Sequence, residues 1–198
     1  MPRVADREAR RAELVMAAAN AFAQQGVANT AVSDIVKAAG VAQGTFYLYF
    51  ESKDDVVLAV AKRFGDTLVE GIERAVAAPA KPAVEKLLAL GDVLGDSAAI
   101  AEASELIDIM HRPGNHAIHD RMAEHLTPRL VAIVQDIIAK GVAEGAFTVP
   151  DVAAAAWFVL GGLQSVELSG VPLAGMPAAI AQATELALRA LGYSEPTA

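Results

Sequence analysis

The stretch VSDIVKAAGVAQGTFYLYF, residues 32–50, decides how this sequence is expected to fold. Its first part repeats apolar residues at i, i+3, i+4 and i+7, the spacing of a helix, and Gly40 ends that pattern. A second, shorter helix is predicted over residues 43–50. Two helices joined by a tight turn that contains glycine form a helix-turn-helix. The stretch therefore predicts a short helix with one face buried and the other free for the major groove of DNA.

Successive residues of the short helix advance by about 100°, and this rotation assigns its faces. Phe46 and Phe50 point together towards the interior, so Gly44 and Leu48 point away from it. Gly44 permits close approach of the backbone. Leu48 is predicted to meet the methyl groups of thymine, and an isolated surface leucine is the alternative.

The same helix also carries hydrogen-bonding side chains. Gln43, near the N-terminus, can reach base edges with its amide. The hydroxyls of Thr45, Tyr47 and Tyr49 can donate to phosphate without adding charge. From the residues alone, a surface helical hairpin in an all-α bundle remains the alternative to DNA binding.

The charge is unevenly distributed along the chain. The formal net charge of −8 argues weakly against nucleic acid, because phosphate binding needs cations. Residues 1–64, however, carry eight Lys or Arg and seven Asp or Glu, so the acidic excess lies beyond them. Arg3, Arg7, Arg10 and Arg11 cluster near the N-terminus, where a solvated helix start is the alternative interpretation.

The remainder of the 198 residues also favours helices. Alanine is abundant and no segment alternates convincingly as a strand does, so we predict an all-α protein of about nine helices. Thr30 is the expected cap of the second helix and Ser52 of the fourth, and Pro128 is expected to interrupt or kink the seventh. The predicted helices cover approximately residues 6–25, 30–40, 43–50, 52–78, 82–94, 97–110, 115–144, 150–168 and 176–191.

Several classes of protein are disfavoured. The chain has no cysteine, shows no secretory signal, and its longest uncharged apolar stretch is shorter than the roughly 20 residues that span a bilayer. We therefore expect a cytoplasmic protein without a membrane partner. No nucleophile–base set or phosphate loop is visible, so we expect no enzyme, no catalytic residues and no cofactor.

A longer run, AAANAFAQQGVANTAVSDIVKAAGVAQGTFYLYFESKDDV, covers residues 17–56. This run resembles the N-terminal domain of the TetR family of bacterial transcriptional regulators, and IIAKGVAEGAF resembles a phrase that often closes the seventh helix in that family. The resemblance implies a helix-turn-helix DNA-binding domain over residues 1–51. It also implies a ligand-binding and dimerisation domain over residues 52–198.

The resemblance also implies which side chains contact DNA. Ala31 lies where a second Thr or Ser is frequent in the family, and Gln43 lies where Lys or Arg is frequent. Ala31 therefore puts one phosphate or capping contact in question. Gln43 either reads a base or leaves this position without a cation. The implied contacts are Thr30, Ser33, Gln43, Gly44, Thr45, Tyr47, Leu48, Tyr49 and Lys53, of which Lys53 would hold a phosphate.

Small residues line one side of each of the last two predicted helices, and small residues let helices approach closely. The resemblance favours a homodimer through a four-helix interface, and packing within one chain is the alternative. The predicted interface residues are Ala154, Gly161, Ser165, Ala179, Ala183, Leu186 and Ala190.

A pocket for a small-molecule effector is implied by the resemblance, and its composition suggests an apolar or aromatic ligand. Ordinary core packing is the alternative for each residue. The candidate walls are Phe64, Leu106, Met110, Trp157 and Phe158, and the candidate polar anchors are His111 and Gln164.

Four histidines fall within fifteen residues, at positions 111, 116, 119 and 125. A metal site is the alternative that we considered, because two of them are spaced i, i+3. Solvated surface histidines are the preferred interpretation, so no metal is predicted.

Together these features predict a sequence-specific, dimeric repressor that binds a double-stranded DNA operator and that a small apolar ligand releases. An activator or a ligand-dependent co-repressor on the same fold is one alternative. A helical carrier of small molecules without a DNA function is another.

Overall fold

The structure is a computed structural model that describes residues 4–96 and 116–194. In these two ranges the secondary structure is entirely helical, which confirms the predicted fold class. The helix predicted over residues 97–110 lies outside the described residues. The α-helices are α1 (Val4–Gln25), α2 (Val32–Ala38), α3 (Gln43–Phe46), α4 (Lys53–Val76), α5 (Ala83–Leu94), α6 (His116–Ala143), α7 (Val152–Leu168) and α8 (Met176–Ala190), with a 3₁₀ turn at Leu173–Gly175.

The contacts divide the chain into two compact units, and the division falls within α4, after Gly65. The first unit, here called the head, comprises residues 4–65 and 116–123 of the described chain, and the second comprises 66–96 and 124–194. The family resemblance predicts the boundary at residue 51. The difference arises because Val56, Val57 and Val60, in the first turns of α4, are buried in the core of the head.

The core of the head is built around the paired phenylalanines. Phe46 and Phe50 are buried together with Phe22, Leu14 and Ile35. The ring centroids of Phe46 and Phe50 lie 5.4 Å apart. Removing a side chain of this size from water contributes about 1.5–3 kcal/mol. The inward orientation of this pair, predicted from its i, i+4 spacing, therefore fixes which side of α3 faces outward.

The turns of the head use different caps from those predicted. Thr30 does not cap α2, so that prediction was wrong: its side chain is buried and its hydroxyl donates to the carbonyl of Gly26 at 2.7 Å. Ala31 occupies the cap position, and its N–H donates to the carboxylate of Asp34 at 2.8 Å. The cap predicted at Ser52 is confirmed, because its hydroxyl accepts from the N–H of the third residue of α4 at 3.2 Å.

The core of the second unit is formed by apolar residues of α4 to α8, among them Ile72, Leu87, Val134, Leu160 and Leu188. Pro128 does not interrupt α6, which is continuous over His116–Ala143. A proline inside a helix removes one backbone donor, and here the flanking turns remain helical.

A small ion-pair cluster joins α4 to α6 within the second unit. Asp66 Oδ1 lies 2.8 Å from Arg129 Nη1 and 2.9 Å from His125 Nε2. The other guanidinium nitrogen of Arg129 lies 3.2 Å from Glu73 Oε1. The cluster connects two positions of α4, two helical turns apart, to one side of α6.

Candidate DNA-binding interface

The outward side of α3 consists of exposed side chains. Gln43 and Gly44 are exposed, Tyr47 is 55% exposed and Leu48 is 68% exposed. The α-helix itself ends at Phe46, earlier than predicted, and the chain continues as a turn. The N–H of Phe50 still donates to the carbonyl of Phe46 at 3.0 Å, so this turn retains a helical path. The residues predicted to face DNA are therefore presented on one side of a tightly wound segment.

Two large side chains on this surface have little protein around them. The Tyr47 ring meets Phe46 edge to face, with 5.4 Å between centroids, and more than half of Tyr47 remains exposed. Leu48 is the most exposed large apolar side chain of the described residues. Burial within the chain explains neither position, so both are available to a partner.

Tyr49 and Thr45 are half-buried at the sides of the same segment. The guanidinium of Arg7 lies 5.9 Å from the centre of the Tyr49 ring and donates to the carbonyl of Leu48 at 3.4 Å. The sequence analysis did not connect Arg7 with this surface. Its only signal was the N-terminal arginine cluster at helical spacing.

Gly44 is not required by the packing of the head. A Cβ added there would meet no atom within 4 Å in the part of the chain that the structure describes, and the φ of Gly44 lies outside the left-handed region. Because any residue fits the backbone at this position, its lack of a side chain has no explanation within the chain.

The other three predicted contacts differ in availability. Ser33 is exposed in the first turn of α2. Thr30 is buried, and contact with DNA would require its hydroxyl to leave the Gly26 carbonyl. The ammonium of Lys53 donates to the carbonyl of Thr30 at 2.9 Å, so it is engaged within the head. All three contacts stay predictions.

The predicted dimer residues are located on α7 and α8 of the second unit. Ala154, Gly161, Ser165, Leu186 and Ala190 are exposed, whereas Ala179 and Ala183 are half-buried. The opposite side of α7 is filled by buried residues, namely Ala156, Val159, Leu160 and Leu163.

The candidate ligand residues belong partly to the head and partly to the second unit, and some lie outside the described residues. Phe64 is half-buried against the core of the head. Trp157 and Phe158 are 56% and 66% exposed on α7, and Gln164 is exposed on the same helix. The candidates Leu106, Met110 and His111 lie outside the described residues. The ligand site stays a prediction.

The described ranges contain neither a metal cluster nor a membrane-spanning helix. Within residues 4–96 and 116–194, no group of three or more His, Cys, Asp or Glu side chains is placed to hold a metal ion. Nor does any helix of those ranges have the length and apolarity to cross a membrane. Of the four histidines, His125 pairs with Asp66, and the side chains of the other three lie outside the described residues.

A three-helix head that presents a short exposed helix after a glycine turn defines the helix-turn-helix class of proteins. A family model described as "Bacterial regulatory proteins, tetR family" matches residues 14–60. The HTH-type transcriptional repressor KstR2 of Mycolicibacterium smegmatis is 31% identical over 150 residues, which are 70% of this chain and 67% of that protein. The chain belongs to the TetR family of bacterial regulatory proteins.

Other relatives match over shorter segments. The fatty acid metabolism regulator protein of Bacillus subtilis is 38% identical over 61 residues, which are 31% of either chain. The first curated relatives are matched over only 26% to 32% of their own lengths. Among solved structures, the fatty acid degradation regulator FadR of Bacillus halodurans has a TM-score of 0.67 and 25% identity, covering 93% of this chain and 97% of that one.

Proposed function

We propose that this chain is a homodimeric transcriptional repressor that binds a double-stranded DNA operator and is released from it by a small apolar ligand. The observation that carries the DNA-binding part is the exposed side of α3 and of the turn that follows it, where Gly44, Tyr47 and Leu48 are exposed. The repressor part is supported by the similarity to a protein named as a transcriptional repressor over 70% of this chain.

The chemistry of this surface suits the major groove. The amide of Gln43 offers both a donor and an acceptor to base edges. Tyr47 offers a hydroxyl to phosphate, and Leu48 offers an apolar contact to a thymine methyl group. Gly44 lets the backbone approach the duplex. A cation is not needed at every contact, because hydroxyls and backbone N–H groups also bind phosphate.

A dimer is proposed because one small head reads too few base pairs for specificity. Two heads would read half-sites about one helical turn apart, roughly 34–36 Å. The exposed large apolar side chains Trp157, Phe158 and Leu186 lie on α7 and α8, together with the small residues predicted for the interface. In a two-fold dimer, α7 and α8 of one protomer would pack against α7 and α8 of its partner. This contact would bury the exposed apolar side chains of both protomers.

The ligand is proposed to favour a second arrangement of the dimer and so to shift the population away from DNA. Fatty acids are the first ligands to test, since the similar Bacillus halodurans structure is that of a fatty acid degradation regulator. The coupling must be reciprocal, so operator DNA would weaken ligand binding by the same factor.

The DNA-binding proposal is tested by selecting bound sequences from random duplex DNA and then measuring affinity for the selected site. Tyr47→Phe removes one hydroxyl and leaves the ring packing unchanged. We expect the affinity to fall by roughly fivefold, the net value of a single hydrogen bond. Tyr193→Phe removes a hydroxyl from the second unit and is the matched control, with no expected effect on DNA binding.

Two results would contradict the proposal. The first is failure of the folded, dimeric protein to enrich any sequence. The second is an operator affinity that saturating ligand does not change, together with a ligand affinity that saturating operator does not change. The first would remove the DNA-binding function, and the second only the ligand response.

A further inference from the structure

The segment that the proposed function places against the major groove has no positive charge of its own. Residues 38–52, which include α3 and the turn after it, contain neither lysine nor arginine, and their one charged residue is Glu51. Contacts to phosphate supply much of the affinity of proteins for DNA, and cations strengthen these contacts. A cation beside α3 must therefore come from another part of the chain.

Arg7, on α1, is brought to this segment by the fold of the head. Its Nη2 lies 3.4 Å from the carbonyl oxygen of Leu48, and its guanidinium carbon lies 5.9 Å from the centre of the Tyr49 ring. Arg7 is exposed, and Tyr49 is half-buried. The guanidinium therefore lies at the edge of the candidate DNA surface, although 41 residues separate Arg7 from Leu48 in the chain.

Both of these contacts are long. A hydrogen bond from nitrogen to oxygen is usually about 2.7–3.2 Å, and a cation–π contact extends to about 6 Å. By contrast, the guanidinium carbon of Arg11 lies 4.9 Å from the centre of the ring of Phe50, which is buried. Arg11 thus covers the core of the head, whereas the neighbours of Arg7 direct its side chain and hold it only weakly.

The chemistry of a guanidinium suits this position. It has five N–H donors in one plane, and the Leu48 carbonyl accepts from one of its nitrogens. An arginine beside an aromatic ring can still pair with a phosphate through two parallel N–H···O bonds. The hydroxyl of Tyr49 is itself a predicted phosphate donor, so the two neighbouring side chains would meet the same stretch of DNA backbone.

We propose that Arg7 binds a phosphate of the operator beside α3 and supplies, from α1, the positive charge that residues 38–52 lack. The Tyr49 ring and the Leu48 carbonyl direct its guanidinium towards that phosphate. This inference rests on the DNA-binding function proposed above, and it adds a contact that the family resemblance did not imply.

A phosphate contact and a structural contact predict different binding behaviour. Loss of a phosphate contact weakens binding to all DNA sequences alike and reduces the slope of log K against log salt by about one. Loss of a structural contact between Arg7 and the turn after α3 would change the shape of the surface instead. It would weaken the selected operator alone and leave the salt slope unchanged.

The test compares Arg7→Gln and Arg7→Lys with wild-type protein. Arg10→Gln is the matched control, because it removes the same charge from the same helix and because Arg10 pairs with Glu13. Affinity for the selected operator and for a scrambled duplex is measured over a range of salt, at a temperature where circular dichroism shows all four proteins folded.

For Arg7→Gln we expect each head to lose roughly a factor of three in affinity, the value of an exposed ion pair, so that the dimer binds about tenfold more weakly. The loss should be equal on both duplexes, and the salt slope should fall by about two, one for each head. Arg7→Lys should keep the salt slope because it keeps the charge. Arg10→Gln should keep the slope and both affinities.

Several results would overturn the inference. A loss confined to the operator, with an unchanged slope, would make Arg7 a structural contact. An equal reduction of the slope in Arg10→Gln would show a general effect of charge on α1. If wild-type protein selects an operator and Arg7→Gln binds it with unchanged affinity and slope, this inference fails and the proposed function stands. If wild-type protein selects no operator, both fail together.

Discussion

Replacement of Gly44 by alanine should change stability and DNA binding in opposite directions. Gly44 is exposed in the first turn of α3, with a φ that alanine adopts without strain. An added Cβ would meet no atom of the described residues within 4 Å. The substitution therefore adds one methyl group to the outward surface and nothing to the interior.

The expected stability gain follows from the backbone. Alanine in place of glycine in a helix is favoured by roughly 0.5–1 kcal/mol, and a first-turn position lies at the lower end of that range. For a chain of this size, 1 kcal/mol raises the melting temperature by about 2–4 °C. We therefore expect Gly44→Ala to melt about 1–2 °C higher than wild-type protein.

The expected loss of DNA affinity follows from crowding. A methyl group inserted into a closely packed contact costs about 1–3 kcal/mol, which corresponds to roughly a five- to hundredfold weaker operator complex. Gly71→Ala is the matched control, because that glycine is also helical and its added Cβ would make an ordinary 3.5 Å contact with Val93. The control should gain stability and keep its affinity.

Melting curves and fluorescence-anisotropy titrations with the selected operator measure both quantities on the same protein samples. If Gly44→Ala binds the operator as tightly as wild-type protein, the backbone of α3 does not approach DNA closely. The assignment of this surface would then be refuted even if the protein binds DNA by another face.

Two more predictions concern the second unit. Phe158→Glu should convert the dimer to a monomer in sedimentation experiments, because it places a charge on an apolar side chain that is 66% exposed on α7; a dimer of unchanged affinity would exclude that surface. Glu144→Gln tests a pH effect: the hydrogen bond from Lys140 and the N–H of Ala83 lower the pKa of Glu144. A lowered folded-state pKa gives stability that is complete above the unfolded pKa and is lost as the pH falls through the folded value. The variant should therefore be less stable than wild-type protein in urea at pH 7, with the difference disappearing in strongly acidic buffer; a difference independent of pH would contradict this explanation.

The local pattern of the sequence predicted the parts of the head that depend on spacing alone. Phe46 and Phe50 are four residues apart, so a helical path brings both rings to one side whatever the neighbouring helices do. The cap of α4 followed from Ser52 for the same reason, because a cap hydroxyl and the backbone N–H that donates to it lie within three residues. These relations are local, and no distant contact competes with them.

Contacts between segments decided the features that the sequence analysis missed. Thr30 precedes Ala31, and threonine is the better N-cap by residue type. The Thr30 hydroxyl donates instead to the carbonyl of Gly26. Ala31 therefore occupies the cap position, and its N–H donates to the carboxylate of Asp34. Trp157, a candidate wall of the pocket that the resemblance implies, is exposed on α7, and its role in a pocket stays a prediction. Its exposure follows from the other side of α7, which already fills the core.

The continuity of α4 has a mechanical consequence. The helix has 24 residues, which corresponds to a rod about 36 Å long, and it contributes its first half to one unit and its second half to the other. A tilt of about 5° around one end would carry the opposite end through about 3 Å, comparable to the length of one hydrogen bond. A stiff lever of this length can amplify a small local displacement without any change in its own internal bonds.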